Sequence, residues 1–188
     1  MLGCNQGKKE DNPFENAPVF IEDEMVINDS VINEGDVQKI IDPLWWSVDI
    51  YQSEVIYKES LKTFTENQKY VFAIQWYLAE VNNGGHDQFF TNSTGIVWKD
   101  ALKGFEKIGL RDNYTILKAA ADKLGGNPSL NREEREQQYD RTNPDFEKLD
   151  DRFFDSDKKT PIDSIVLEFI KANRKDFYFR GRIKKPLD

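Results

Sequence analysis

The chain has 188 residues, 34 acidic and 26 basic side chains, a net charge of −8, one histidine and one cysteine. One domain of this size folds without disulfides or metal. The single histidine and cysteine exclude a disulfide scaffold or an ordinary Cys/His metal centre, and no cofactor is expected. The acidic balance argues against direct binding of nucleic acid, and no apolar run approaches the roughly 20 residues of a transmembrane helix.

Residues 1–35 read as a flexible acidic N-terminal segment. Pro13 and Pro18 punctuate its polar start, and residues 10–36 carry nine acids and no base. Residues 19–32 alternate weakly, the pattern of a strand. Leu2-Gly3-Cys4 followed by a polar tether is the one hint of a lipoprotein anchor, but the basic start and apolar run that such a signal requires are absent. The expectation is a cytoplasmic protein, with an anchor at Cys4 only if the true start lies upstream.

An all-α domain is expected over residues 36–180, with about seven or eight helices. Ile40, Ile41, Leu44, Trp45 and Trp46 form an apolar knot interrupted by Pro43, and residues 47–63 fit a helix moderately. Thr65 and Gln68 make a capping box. Behind it, Val71, Ile74, Tyr77, Leu78 and Val81 recur at helical spacing, and Asn83-Gly84-Gly85 should end the helix. A short helix over 86–91 follows. The next runs from about Ile96 to Ile108 and stops at Gly109. Another is capped by Asp112 or Asn113 and stops at Gly125-Gly126. Residues 132–142 form a helix that is almost wholly polar. The last opens at Thr160-Pro161, a cap followed by proline at the first helical position. Residues 181–188 are a basic C-terminal tail that either folds back on the acids or marks a different partner.

Several short patterns carry no chemistry. The Gly-Gly pairs lack the lysine of a phosphate loop. Asp155-Ser156-Asp157 lacks the glycine and terminal glutamate of a calcium loop. Asn28, Asn92 and Asn113 begin glycosylation triplets that match by chance.

Two readings compete for the polar residues at 80–93. In the enzymatic one, Glu80 or Asp87 raises the basicity of His86, which acts as general base for Ser93 or a bound water. In the structural one, Gln88 and Asn92 use their amides to satisfy backbone groups freed at helix ends. The run from Gln68 to Gly109, with Glu80-Val81, Asn83-Gly84-Gly85, Gln88-Phe89-Phe90, Asn92-Ser93 and Gly95, resembles the core of the bacterial DNA-mimic protein family. The match is looser over 44–67 and 110–175. His86 stands where many members carry an aromatic, which weakens it as a shared catalyst.

The resemblance implies an all-α fold that can form a homodimer. For the member that named the family, it implies an acidic surface that occupies the DNA-binding face of a transcription regulator. The structural motif would then be Glu80, Asn83, Gly84, Gly85, Gln88 and Asn92. The expected partner-binding acids are Glu133, Glu136, Asp140, Glu147, Asp150, Asp151, Asp155 and Asp157, because neighbouring helical turns space charges about 5–6 Å apart. Against this, Arg132, Arg135, Arg141, Lys148 and Arg152 can pair with those acids as ordinary surface ion pairs. The expected function is non-enzymatic binding of a basic protein, either a DNA-binding regulator or a toxin to be neutralised. An enzyme centred on Glu80, His86 and Asp87 is the other class.

Overall fold

The computed structural model describes residues 20–187. The lead-in over 1–18 and the reading of Cys4 lie outside the described residues. The elements in order are β1 (Phe20–Ile27), α1 (Asp29–Glu34), α2 (Val37–Ser47), α3 (Glu54–Ser60), α4 (Glu66–Thr91), a 3-10 turn (Ser93–Val97), α5 (Trp98–Ile108), α6 (Arg111–Lys123), α7 (Arg132–Thr142), α8 (Glu147–Lys159), α9 (Ile162–Ala172), α10 (Arg174–Phe177) and β2 (Phe179–Pro186). Eight of the helices have seven residues or more, so the mostly helical expectation holds.

The fold is built on α4. Thr65 and Gln68 form the capping box expected of them, each accepting from the other's backbone N–H. Val71, Phe72, Ile74 and Tyr77 are fully buried along its length, and α2, α5, α7 and α8 pack around it. Tyr77 lies at the centre, its ring edge-to-face with Phe89, Phe105 and Phe153 at 5.1, 5.3 and 5.7 Å. Such pairs add to the burial of the rings themselves. On the α2 side, Trp45 stacks on Trp76 at 3.9 Å. Gly109, Gly125 and Gly126 stop α5 and α6 with positive φ, as the sequence implies.

The ends differ most from expectation. Residues 20–35 form a strand and a helix, and residues 179–186 are a strand rather than a tail. β1 and β2 pair antiparallel, with Phe20 opposite Pro186 and Ile27 opposite Phe179. The charge asymmetry of the termini is thus a cross-strand match: Lys185 meets Asp23 at 3.3 Å and Arg182 lies 3.9 Å from Glu22. Opposite charges across a ladder stabilise it modestly. The side of the ribbon that carries Ile27, Phe179 and Ile183 lies on the helices, with Ile27 and Ile183 buried and Phe179 stacked on Phe64.

Four local expectations are corrected. α2 continues through Pro43 because Ile40, Ile41 and Leu44 on either side are fully buried, and their packing outweighs the bond that proline removes. Residues 48–63 are helical only over α3, which Ser53 caps. α6 begins at Arg111 with Leu110 at the cap position, so neither Asp112 nor Asn113 caps it. Thr160 does not cap α9; the Asp157 carboxylate accepts the Ile162 N–H at 2.9 Å instead.

Candidate functional site

The polar knot is assembled where α4 breaks. Gly84 and Gly85 leave the helical conformation, Gly85 with φ 70° and ψ −170°. That region of backbone space is essentially glycine-only. The chain kinks there, and His86–Thr91 continues as a separate short helix, as expected. Glu80, buried at the end of the first segment, takes the amides of the second. Gln88 Nε2 and Asn92 Nδ2 donate to its Oε2 at 2.7 and 2.9 Å, and Asn83 Nδ2 donates to Gln88 Oε1 at 2.9 Å. These amides therefore satisfy one carboxylate and one another rather than free backbone groups.

The backbone groups are met from elsewhere. Asp150, on α8, accepts the His86 N–H at 3.0 Å with Oδ1, and the same oxygen lies 2.5 Å from His86 Nδ1. His86 Nε2 lies 2.9 Å from the Tyr77 hydroxyl. Because the carboxylate can only accept, Nδ1 carries a proton, and in the neutral imidazole Nε2 then accepts from Tyr77. Burial, followed by the Asp150 charge, holds the Tyr77 phenol well above its usual range, so its hydroxyl keeps its proton.

Arg135, the buried residue of α7, satisfies the carbonyls. Its guanidinium donates to Phe90 O, Asn92 O and Ser129 O, each at 2.7 Å, and reaches Leu130 O at 3.5 Å. A cation at the C-terminus of α4 also meets the negative end of the helix dipole. Gly95 leaves room for it: a Cβ there would stand 2.6 Å from Arg135 Nε. Burial lowers the Arg135 pKa to about 10, which leaves it charged at neutral pH.

This geometry separates the residues of the enzymatic reading. Glu80 binds Gln88 and Asn92, Asp87 accepts from Tyr139, and His86 bonds to Asp150 and Tyr77. The imidazole is fully buried with both nitrogens engaged, so neither meets a substrate. Tyr77, Asp150 and Arg135 are the members of the knot that sequence reading did not place in it. For Arg135 a signal existed: it stands four residues before Tyr139, the only aromatic of α7, on the face that turns inward.

The eight expected partner-binding acids divide into two groups. Three have local partners. Asp150 serves His86, Asp157 caps α9, and Glu136 pairs with Arg132 at 2.8 Å. The other five, Glu133, Asp140, Glu147, Asp151 and Asp155, are exposed and make no ion pair among the described residues. Glu147, Asp151 and Asp155 recur every fourth residue along α8, on the side away from buried Leu149 and Phe153. Each step advances about 6 Å along the helix. Of the five bases expected to neutralise these acids, Arg132 alone does so, and Arg135 is withdrawn into the interior. Arg141, Lys148 and Arg152 are exposed and make no ion pair among the described residues.

No helix among the described residues is long and apolar enough to cross a membrane. A family model described as DMP19-like protein matches residues 62–173, from just before α4 to the start of α10. No curated protein and no solved structure matches the chain.

Proposed function

The chain belongs to the DMP19-like protein family, and from that premise we propose that it is a non-enzymatic binding module that uses acids of α7 and α8 to occupy the basic DNA-binding face of a regulatory protein. The observation that carries the reading is the row Glu147, Asp151 and Asp155, exposed, one turn apart and without ion pairs among the described residues. A rigid helix holds these charges at fixed intervals, as a nucleic-acid strand holds its phosphates. Glu133 and Asp140 extend the acidity onto α7. The partner's lysines and arginines are attracted over several ångströms, and the attraction fades as salt screens it. The knot at the kink of α4 supports the surface from behind, since Asp150 locks α8 to His86 and Arg135 locks α7 to the end of α4.

The test begins with partners captured at low salt from the source cell and identified by mass spectrometry. A purified partner is then challenged on duplex DNA. The native chain should displace the DNA, and added salt should weaken that effect. The triple variant Glu147→Gln, Asp151→Asn, Asp155→Asn should lose displacement while its thermal unfolding is unchanged. A partner without DNA-binding activity, or full displacement by the triple variant, would overturn the proposal.

A further inference from the structure

A cavity of about 340 Å³ lies where the ribbon meets the end of α2, and five of the ten residues that line it are aromatic: Phe20, Trp45, Trp46, Tyr51 and Trp76. Its size falls within the roughly 300–1,000 Å³ of small-molecule sites. Trp45 and Trp76 are held face to face at 3.9 Å, and Phe72 packs edge-on against both. That part of the lining is fixed by the core. Phe20, Trp46 and Tyr51 are instead exposed, Tyr51 by 72%. Among the described residues five aromatic side chains are exposed, and these three of them gather at one cavity. Single exposed rings need no explanation, but a cluster of them round an opening marks a binding surface.

The charges of the lining decide what such a surface takes. Asp49 and Lys184 are the two charged residues there. The Asp49 carboxylate is occupied by its own turn: Oδ1 accepts the Tyr51 and Gln52 N–H groups at 2.8 and 3.1 Å, and Oδ2 accepts from Gln52 Nε2. Lys184 makes no ion pair among the described residues. Glu22 stands opposite it in the ladder, but the Glu22 carboxylate lies 3.9 Å from Arg182. The Lys184 ammonium sits 5.4 Å from the centre of the Phe20 ring, beside the aromatic lining. An aromatic cage can hold a quaternary ammonium, but here Lys184 would repel it and Asp49 is already engaged.

We propose that this cavity binds a small aromatic carboxylate, its ring among the exposed aromatics and its carboxylate on Lys184. A flat ring meets Trp46 and Tyr51 in the offset or edge-on arrangements that aromatic pairs prefer. The carboxylate supplies the charged acceptor that the ammonium lacks. Such a ligand would touch the ribbon through Phe20 and Lys184 and the helices through the tryptophans. None of the acids of α7 and α8 lines the cavity, so this site stands or falls independently of the binding module proposed above.

The four indole N–H signals of the full chain, followed by NMR, provide the test. Three belong to tryptophans of the cavity. The fourth, Trp98, is 4% exposed and donates to Pro128 O at 2.9 Å, so it serves as an internal control. Phenylacetate should move the signals of Trp45, Trp46 and Trp76 saturably and leave Trp98 in place. Its uncharged analogue phenylacetamide should bind about threefold more weakly or worse. Lys184→Gln, at an exposed side chain, should bring phenylacetate down to the affinity of the amide and leave the amide unaffected. Tyr51→Ala, at the most exposed ring, should weaken both by about threefold. The proposal fails if no saturable movement occurs, if Trp98 responds equally, or if Lys184→Gln retains full affinity for phenylacetate. It fails also if cyclohexylacetate or choline binds as tightly as phenylacetate. Movement of the three signals on dilution of the protein alone would mean that a second copy covers the cavity, and that too overturns it.

Discussion

Replacing Arg135 with methionine tests whether the knot is a structural clamp. The guanidinium is fully buried and makes three bonds of 2.7 Å to carbonyls of Phe90, Asn92 and Ser129. Each such bond from a charged donor contributes roughly 1.5–3 kcal/mol net, and its loss leaves a carbonyl without a donor. Methionine fills much of the arginine stem's volume and relieves the cost of burying a charge, which offsets part of the loss. The expected destabilisation is about 3 kcal/mol. In a domain of this size that lowers the thermal midpoint by about 6–12 °C. Urea unfolding followed by circular dichroism measures it, with an unchanged slope showing that the unfolded state is the same. Arg135→Lys should lose about 2 kcal/mol, because one ammonium cannot reach carbonyls arranged for a planar fork. A loss below about 1 kcal/mol in the methionine variant, or full stability in the lysine variant, would refute the clamp.

Two further outcomes follow from the same geometry. Gly85→Ala should cost about 2–3 kcal/mol, since φ is 70° and the new Cβ would stand 2.5 Å from Asp150 Oδ2. Gly109→Ala, with φ 86° but nothing within 4 Å, should cost only about 1 kcal/mol; equal losses in urea titrations would remove the contact with Asp150 from the account. The second concerns alkaline pH. Burial, then the charges of Asp100 and Asp150 respectively, raises the phenols of Tyr57 and Tyr77 well above 10. Burial with the Asp87 bond raises Tyr139 to about 12, and the Glu66 bond does the same for Tyr70. The folded chain then holds more protons than the unfolded chain above pH 10, so this stabilisation is complete below pH 10 and falls as pH rises toward 12. Tyrosinate absorbance should show Tyr57 and Tyr77 ionising only as the chain unfolds; a smooth titration of all seven tyrosines before loss of circular dichroism would contradict this.

The helices were readable because their signals are local. The Thr65–Gln68 box, the glycine stops after Ile108 and Leu124 and the spacing of Val71, Ile74 and Tyr77 each lie within a few residues of what they determine. The ribbon was not. Glu22, Asp23 and Glu24 in β1 have low strand propensity, and their partners lie some 160 residues away. The knot was half readable. Glu80, Gln88 and Asn92 follow from one stretch of chain, whereas the Asp150 carboxylate reaches His86 across 64 positions. The same distance hides the role of Asp150: from sequence, Asp150 and Asp151 are equivalent, yet the rotation of α8 between them directs the first toward His86 and the second to solvent.

The ribbon also governs when the protein can finish folding. Phe20 is paired with Pro186, so the first described strand cannot find its complement until the chain has been made through β2. A chain still attached to the ribosome, growing at about 5–20 residues per second, must wait with Ile27 and the apolar side of α2 uncovered after the central helices are complete. Loss of β2 would therefore leave that surface open.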